Sequence, residues 1–123
     1  MSSAEDDPSP TGGVLEIVER FNAAWGAHDL AATLALTADD CIFDATGPAP
    51  DGTRCEGRDA IRAAWAPIFD NSSSHFETEE IFAAGDRVVS RWRYSWGDGH
   101  IRGADIFRVR DGLIAEKLSY VKG

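Results

Sequence analysis

With 123 residues and 43% hydrophobic content, the chain fits one compact domain that can bury a core without disulfides or metals, and two domains would each be too small. A formal charge of −9, from 21 acidic against 12 basic residues, argues against nucleic acid and against an anionic membrane surface, since both are held by an excess of Lys and Arg. There is no run of about 18 apolar residues, and MSSAEDDPSP lacks the basic start and apolar stretch of a signal peptide, so the expectation is a cytoplasmic protein with no membrane partner.

Residues 1–11 carry Glu5, Asp6, Asp7 and two prolines with almost nothing apolar, and are expected to form a mobile acidic tail ahead of a single domain over 12–123. Val14, Ile17, Val18, Phe21 and Trp25 then fall at the spacing of a helix with one buried stripe, with Thr11 as its cap and Gly26 at its end. Asp29 reads as the N-cap of a second, short helix carrying Leu30, Leu34 and Leu36. CIFDAT, 41–46, reads as a first strand, GPAPDG as a loop, and 53–56 as a short return strand. Ile61, Ala64, Trp65 and Ile68 predict a third helix over 58–69, whose last turn Pro67 should kink or restart. NSSS closes it.

Four long strands follow, 75–83, 87–96, 101–109 and 113–121, with turn signals at Gly85-Asp86, Asp98-Gly99 and Asp111-Gly112. Three helices before an antiparallel meander define an α+β domain in which helices cover one face of a curved sheet. Cys41 and Cys55 match neither a zinc pattern nor a redox pair and read as free thiols, and His28, His75 and His100 lack metal-ligand spacing, so no metal is expected.

Turn-fixed register carries the argument to a site. A two-residue Asp98-Gly99 turn sets Trp96 opposite Ile101, Tyr94 opposite Gly103 and Trp92 opposite Asp105. Counting from Asp111-Gly112 sets Glu116 opposite Phe107, Leu118 opposite Asp105 and Tyr120 opposite Gly103. One face then collects Trp92, Tyr94, Trp96, Asp105, Phe107, Leu118 and Tyr120, and the other Arg91, Arg93, Arg102, Arg108 and Lys117. Asp105 is thus placed among aromatic neighbours, and Gly103, between Tyr94 and Tyr120, leaves a gap. A carboxylate taken out of water must be hydrogen-bonded, paired or protonated, a situation that suits a general acid or base; the alternative is a buried acid that only orders the core. Gap, acid and aromatic walls together outline a small-molecule pocket, with Trp25 and Trp65 available to line it from the helices.

Three segments, FNAAWGAHDLAATLALTADDCIFDATGP, EGRDAIRAAW and GADIFRVRDGLIAEKLSY, resemble the nuclear transport factor 2-like superfamily, in its SnoaL-like polyketide cyclase and ketosteroid isomerase branch, over about residues 14–121. The resemblance implies a cone-shaped α+β barrel, a curved sheet wrapped by helices around an apolar cavity, in a homodimer joined through the open sheet face. It implies that Asp105 is the sheet acid that supports a developing oxyanion or serves as acid/base. Asp44 is the counterpart of the first-strand base, one position early unless the strand bulges, with Ala45 in the matching slot. Phe21 stands where the isomerases carry a tyrosine, so that donor is missing, and no Arg-x-Asp pair of the epoxide hydrolase kind is present. His100 reads as a turn residue at the rim.

The expected function is a small, cofactor-free enzyme doing isomerase, cyclase or lyase chemistry on an apolar cyclic carbonyl compound. Asp105 and Asp44 would be catalytic, and Phe21, Trp25, Trp65, Trp92, Tyr94, Phe107, Leu118 and Tyr120 would line the ligand. The alternatives are a non-catalytic module that binds a small apolar molecule in the same cavity, and a purely structural dimerisation domain with that cavity filled. The arginine-bearing face mixes in Val89, Ile106 and Val121 and is the expected dimer surface, its arginines meeting Glu77 and Glu79 of a second copy.

Overall fold

The computed structural model describes residues 10–122. Helix α1 (Pro10–Gly26) opens on a proline, whose missing N–H costs nothing in a first turn where that group has no intrahelical acceptor. Its start places Thr11 inside the helix instead of at its cap. Residues 1–9 of the expected tail lie outside the described residues, and residues 10 and 11 are helical. Val18, Phe21 and Trp25 form the buried stripe that the spacing requires. Asp29 caps α2 (Leu30–Ala35), its carboxylate accepting from the Ala32 N–H at 3.0 Å. Helix α3 (Arg58–Asp70) buries Ile61, Trp65 and Phe69 and continues through Pro67 as one helix, so no restart is found there.

Six strands follow the helices or lie between them: β1 (Thr37–Asp44), β2 (Arg54–Glu56), β3 (Ser74–Ala84), β4 (Arg87–Trp96), β5 (Gly99–Arg110) and β6 (Leu113–Val121). They make one curved, unclosed sheet in the order β2-β1-β6-β5-β4-β3. The meander β3 to β6 is antiparallel as expected, while β1 joins its far edge parallel to β6. That pairing starts β1 at Thr37, before the expected Cys41, and needs a bulge between Thr37 and Ile42. The helices cover the face that carries Val88, Trp92, Phe107 and Ile114, and the core closes through edge-on aromatic contacts. Phe21 meets Phe107 at 5.5 Å between ring centroids and Trp25 meets Trp65 at 5.0 Å.

Both functional hairpins depart from the expected register. Trp96 pairs with Gly99, so the β4–β5 turn is Gly97-Asp98, with the positive φ that its first position needs supplied by Gly97 at 42°. Every β4–β5 pair is displaced by two: Trp92 faces Gly103, Tyr94 faces Ile101, and Asp105 faces Ser90. A two-residue displacement keeps each side chain on its expected face. It also removes the expected gap, because the Trp92 ring lies across Gly103. A Cβ on Gly103 would sit 2.4 Å from that ring and 2.3 Å from the Tyr120 carbonyl oxygen.

The β5–β6 turn is Asp111-Gly112 as expected, but a bulge follows at once. Val109 pairs with Ile114 and Arg108 with Glu116, leaving Ala115 as the extra residue. Beyond it Phe107 faces Lys117, Asp105 faces Ser119 and Ala104 faces Tyr120. This one-residue slip turns β6 over. Leu118 and Tyr120, expected inside, lie on the outer face, and Lys117, expected outside, points into the core.

Candidate functional site

The site begins with Asp105. Strand β5 puts it on the helix-covered face, 1% exposed, as the sequence indicated. Its Oδ2 lies 3.2 Å from Lys117 Nζ, and Lys117 is itself only 4% exposed. Oδ1 of Asp105 is buried without a hydrogen-bond partner. The lysine also donates to Ser119 Oγ at 3.0 Å, and three rings surround its ammonium: Trp25 at 4.7 Å, Phe43 at 5.0 Å and Phe107 at 5.9 Å to the centroids. Each ring face attracts a cation, so the charge of Lys117 is met by one carboxylate and an aromatic cage instead of water.

Beside this pair lies a cavity of about 240 Å³, lined by Trp25, Phe43, Ala45, Thr46, Ala64, Ile68, Phe76, Trp92, Tyr94, Ile101, Lys117 and Ser119. Its polar groups are few and clustered, as in sites that orient an apolar guest. Lys117 is the one charged side chain on that wall, and Asp105 stands behind it. Trp25, Trp92 and Tyr94 line the cavity as expected. Phe21, Trp65 and Phe107 do not; they are fully buried core that backs the wall.

Asp44 is on the opposite face of the sheet. It pairs with Leu118 while its neighbour Phe43 pairs with Lys117 and faces inward. Asp44 instead borders a separate hollow of about 360 Å³ with Pro50, Asp51, Tyr120 and Val121. The expected second catalytic acid is therefore not in the cavity. Ala45, in the slot where the resemblance sought an acid, does face it, and brings no chemistry.

Lys117, Ser119 and Phe43 were missed because each depends on a bulge in β6 or β1. One signal in the sequence sets Lys117 and Lys122 apart from the other basic residues, and burial in the structure then separates the two. The chain uses arginine for ten of its twelve basic residues, and Lys117 and Lys122 are its two lysines. A buried amine can give up its proton where a guanidinium cannot. Nearby Cys41 is inert by contrast, its thiol pushed up to about 12 by burial. Cys41 and Cys55 are unbonded, His28 lies near Phe69, and His75 and His100 are exposed.

On the outer face four arginines find partners within the chain, Arg91 with Glu80 at 2.8 Å, Arg102 with Glu79 at 3.1 Å, and Arg87 and Arg108 with Glu116, while the Arg93 Nε is buried without one. Glu79, expected to meet arginines of a second copy, pairs with Arg102 within the chain. Arg102 is held by Glu79 on the outer face, away from the buried Asp105.

The chain matches the family model of the SnoaL-like domain over residues 18–117 and belongs to that family. Among solved structures it is similar to an NTF2-like protein of unknown function from Mesorhizobium loti, at 43% identity and a TM-score of 0.85 over 94% of this chain and 95% of that one. A polyketide cyclase candidate from Xanthomonas campestris shares 25% identity with a TM-score of 0.70, over 93% of each chain. A ketosteroid isomerase candidate from Kribbella flavida shares the fold alone, at 16% identity and a TM-score of 0.76 over 92% of this chain and 80% of that one. No curated protein matches. Among the described residues no helix is long and apolar enough to cross a membrane.

Proposed function

We propose that the protein moves a proton on an apolar, cyclic carbonyl compound held in the aromatic cavity, with Lys117 as the group that touches the ligand and Asp105 as the group that holds its proton. The observation that carries this is the 3.2 Å contact between Lys117 Nζ and Asp105 Oδ2 at the wall of the cavity. With the proton on nitrogen, Lys117 is a hydrogen-bond donor to a carbonyl oxygen and stabilises negative charge that develops there. With the proton on Asp105, the amine is a base facing the cavity. The apolar walls exclude water and strengthen both interactions. The relatives described as cyclase and isomerase candidates support a carbonyl substrate. Asp44 has no place in this scheme.

The test is exchange of α-hydrogens for deuterium in small cyclic ketones, followed by proton NMR. The wild-type protein should accelerate exchange, Lys117→Met should abolish the acceleration, and Asp105→Asn should reduce it by about a hundredfold or more, the ordinary contribution of a positioned proton carrier. The binding reading draws on one observation, that Lys117 is already engaged by Asp105, Ser119 and three rings. Ketones that quench the cavity tryptophans without exchange in any variant would establish it.

We also propose a twofold dimer through the outer sheet face. Val89, Ile106 and Leu118 pair across β4, β5 and β6 into an apolar row on that face, and Tyr120 beside it is 56% exposed. Light scattering should give twice the chain mass for the wild type and the single-chain mass for Ile106→Glu. A monomeric wild type would end the proposal.

A further inference from the structure

We infer that Lys117 is a covalent catalyst: it condenses with the carbonyl carbon of an aldehyde or ketone in the cavity to form an iminium ion, with Asp105 moving the protons. The inference rests on the proposed carbonyl substrate and adds a carbon–nitrogen bond to it. It draws on four features already described. Lys117 is a primary amine on the wall of an apolar cavity, and Asp105 Oδ2 is 3.2 Å from its nitrogen. Oδ1 of the same carboxylate has no other hydrogen bond, so Asp105 is free to carry a proton. Ser119 Oγ, 3.0 Å from the nitrogen, also lines the cavity and offers a hydroxyl beside the reacting carbon.

The step balances with these groups alone. Lys117 passes one proton from its ammonium to Asp105. The nitrogen lone pair forms a bond to the carbonyl carbon, the carbon–oxygen π pair moves to oxygen, and Asp105 returns its proton to that oxygen. Asp105 then takes a second proton from nitrogen and delivers it to the hydroxyl, which leaves as water while the nitrogen pair closes the carbon–nitrogen double bond. The net change is one ammonium and one carbonyl becoming one iminium and one water. Asp105 ends as a carboxylate, and the positive charge remains at nitrogen.

That retention of charge is the physical argument for a lysine here. A buried ion pair is costly to unbalance, because loss of either charge leaves the other without hydration. Imine formation changes the substituents on nitrogen but keeps the cation beside Asp105 and among the Trp25, Phe43 and Phe107 rings. The iminium draws electrons from the neighbouring carbon more strongly than a neutral carbonyl does, and so eases loss of the α-proton. An arginine at this position holds the same charge without a nucleophilic nitrogen.

The test uses the intact protein, benzaldehyde and sodium cyanoborohydride, which reduces an iminium to a stable secondary amine. The chain provides its own control, since Lys122 is exposed and is the one other lysine. Peptide mass mapping should find one benzyl group on the Lys117 peptide, with Lys122 and the N-terminal amine modified far more slowly. Asp105→Asn should slow labelling of Lys117 by about tenfold or more while leaving Lys122 unchanged. Labelling confined to Lys122 and the N-terminus, while benzaldehyde quenches the cavity tryptophans, overturns the inference. In that event ketone exchange that persists in the wild type and is lost in Lys117→Met leaves the proton-transfer reading standing. Absence of quenching, labelling and exchange together removes both.

Discussion

The hairpins on either side of β5 were displaced from their expected registers by different amounts, two residues on the β4 side and one on the β6 side. The larger displacement did less. Moving β4 by two kept Trp92 and Tyr94 facing the cavity and changed only which β5 residue lies opposite each. Moving β6 by one exchanged Leu118 for Lys117 on the inner wall and converted an isolated acid into an acid–amine pair. Side-chain direction in a strand has a period of two, so an even slip alters contacts while an odd slip alters chemistry.

The β6 side carries the largest expected effects. Lys117→Met leaves Asp105 buried and uncompensated, and should cost about 3–5 kcal/mol in urea unfolding. Asp105→Leu strands the lysine in the same way. Their combination should cost much less than the two single losses added, because an apolar pair of similar size removes both hydration penalties at once. Additive costs would mean that the two groups do not interact and that the one-residue slip has no electrostatic consequence.

The β4 side should answer with a packing effect. Gly103→Ala drives a methyl into the Trp92 ring and the Tyr120 carbonyl, and is expected to cost about 1–3 kcal/mol by overpacking. Its checkable companion is a change in tryptophan emission, since Trp92 has to shift toward the cavity. Unchanged stability and emission would show that Trp92 does not cover Gly103 and that the gap suggested by the sequence is real.

The effect that is smallest at neutral pH comes from β1, whose Cys41 lies inside, next to the strand that turned over. Burial raises its thiol to about 12, above its ordinary value of 9.0, so the folded state retains a proton that the unfolded state gives up. Stability from this group is complete below pH 9 and declines as pH rises from there through about 12. At pH 8, Ellman's reagent should react with half-buried Cys55 and spare Cys41 until the protein unfolds. Fast reaction at both thiols would place Cys41 outside the core.

Much of the fold was legible because it follows from local rules. The stripe Val18, Phe21, Trp25, the Asp29 cap and the glycines at the hairpin turns each report their element within a few residues. Asp105 was legible as a buried acid because its place on β5 survives either register of its neighbours. Asp44 and Lys117 were not legible, since their direction depends on bulges that no local pattern announces. Ala115 is an ordinary small residue, and nothing in LIAEK says that it is the one left unpaired.

The order of helices and strands, the aromatic inner face of β4, the burial of Asp105 and the likeness to SnoaL-like proteins all belonged to the sequence, because periodicity and turn chemistry act over short stretches of chain. The parallel docking of β1 on β6, the bulge at Ala115, the Trp92 ring over Gly103 and the meeting of Lys117 with Asp105 were decided only by the tertiary structure. Each is a contact between distant segments whose geometry turns on a single extra residue. Pairing energy across the whole sheet, and not any local preference, selects where that residue goes.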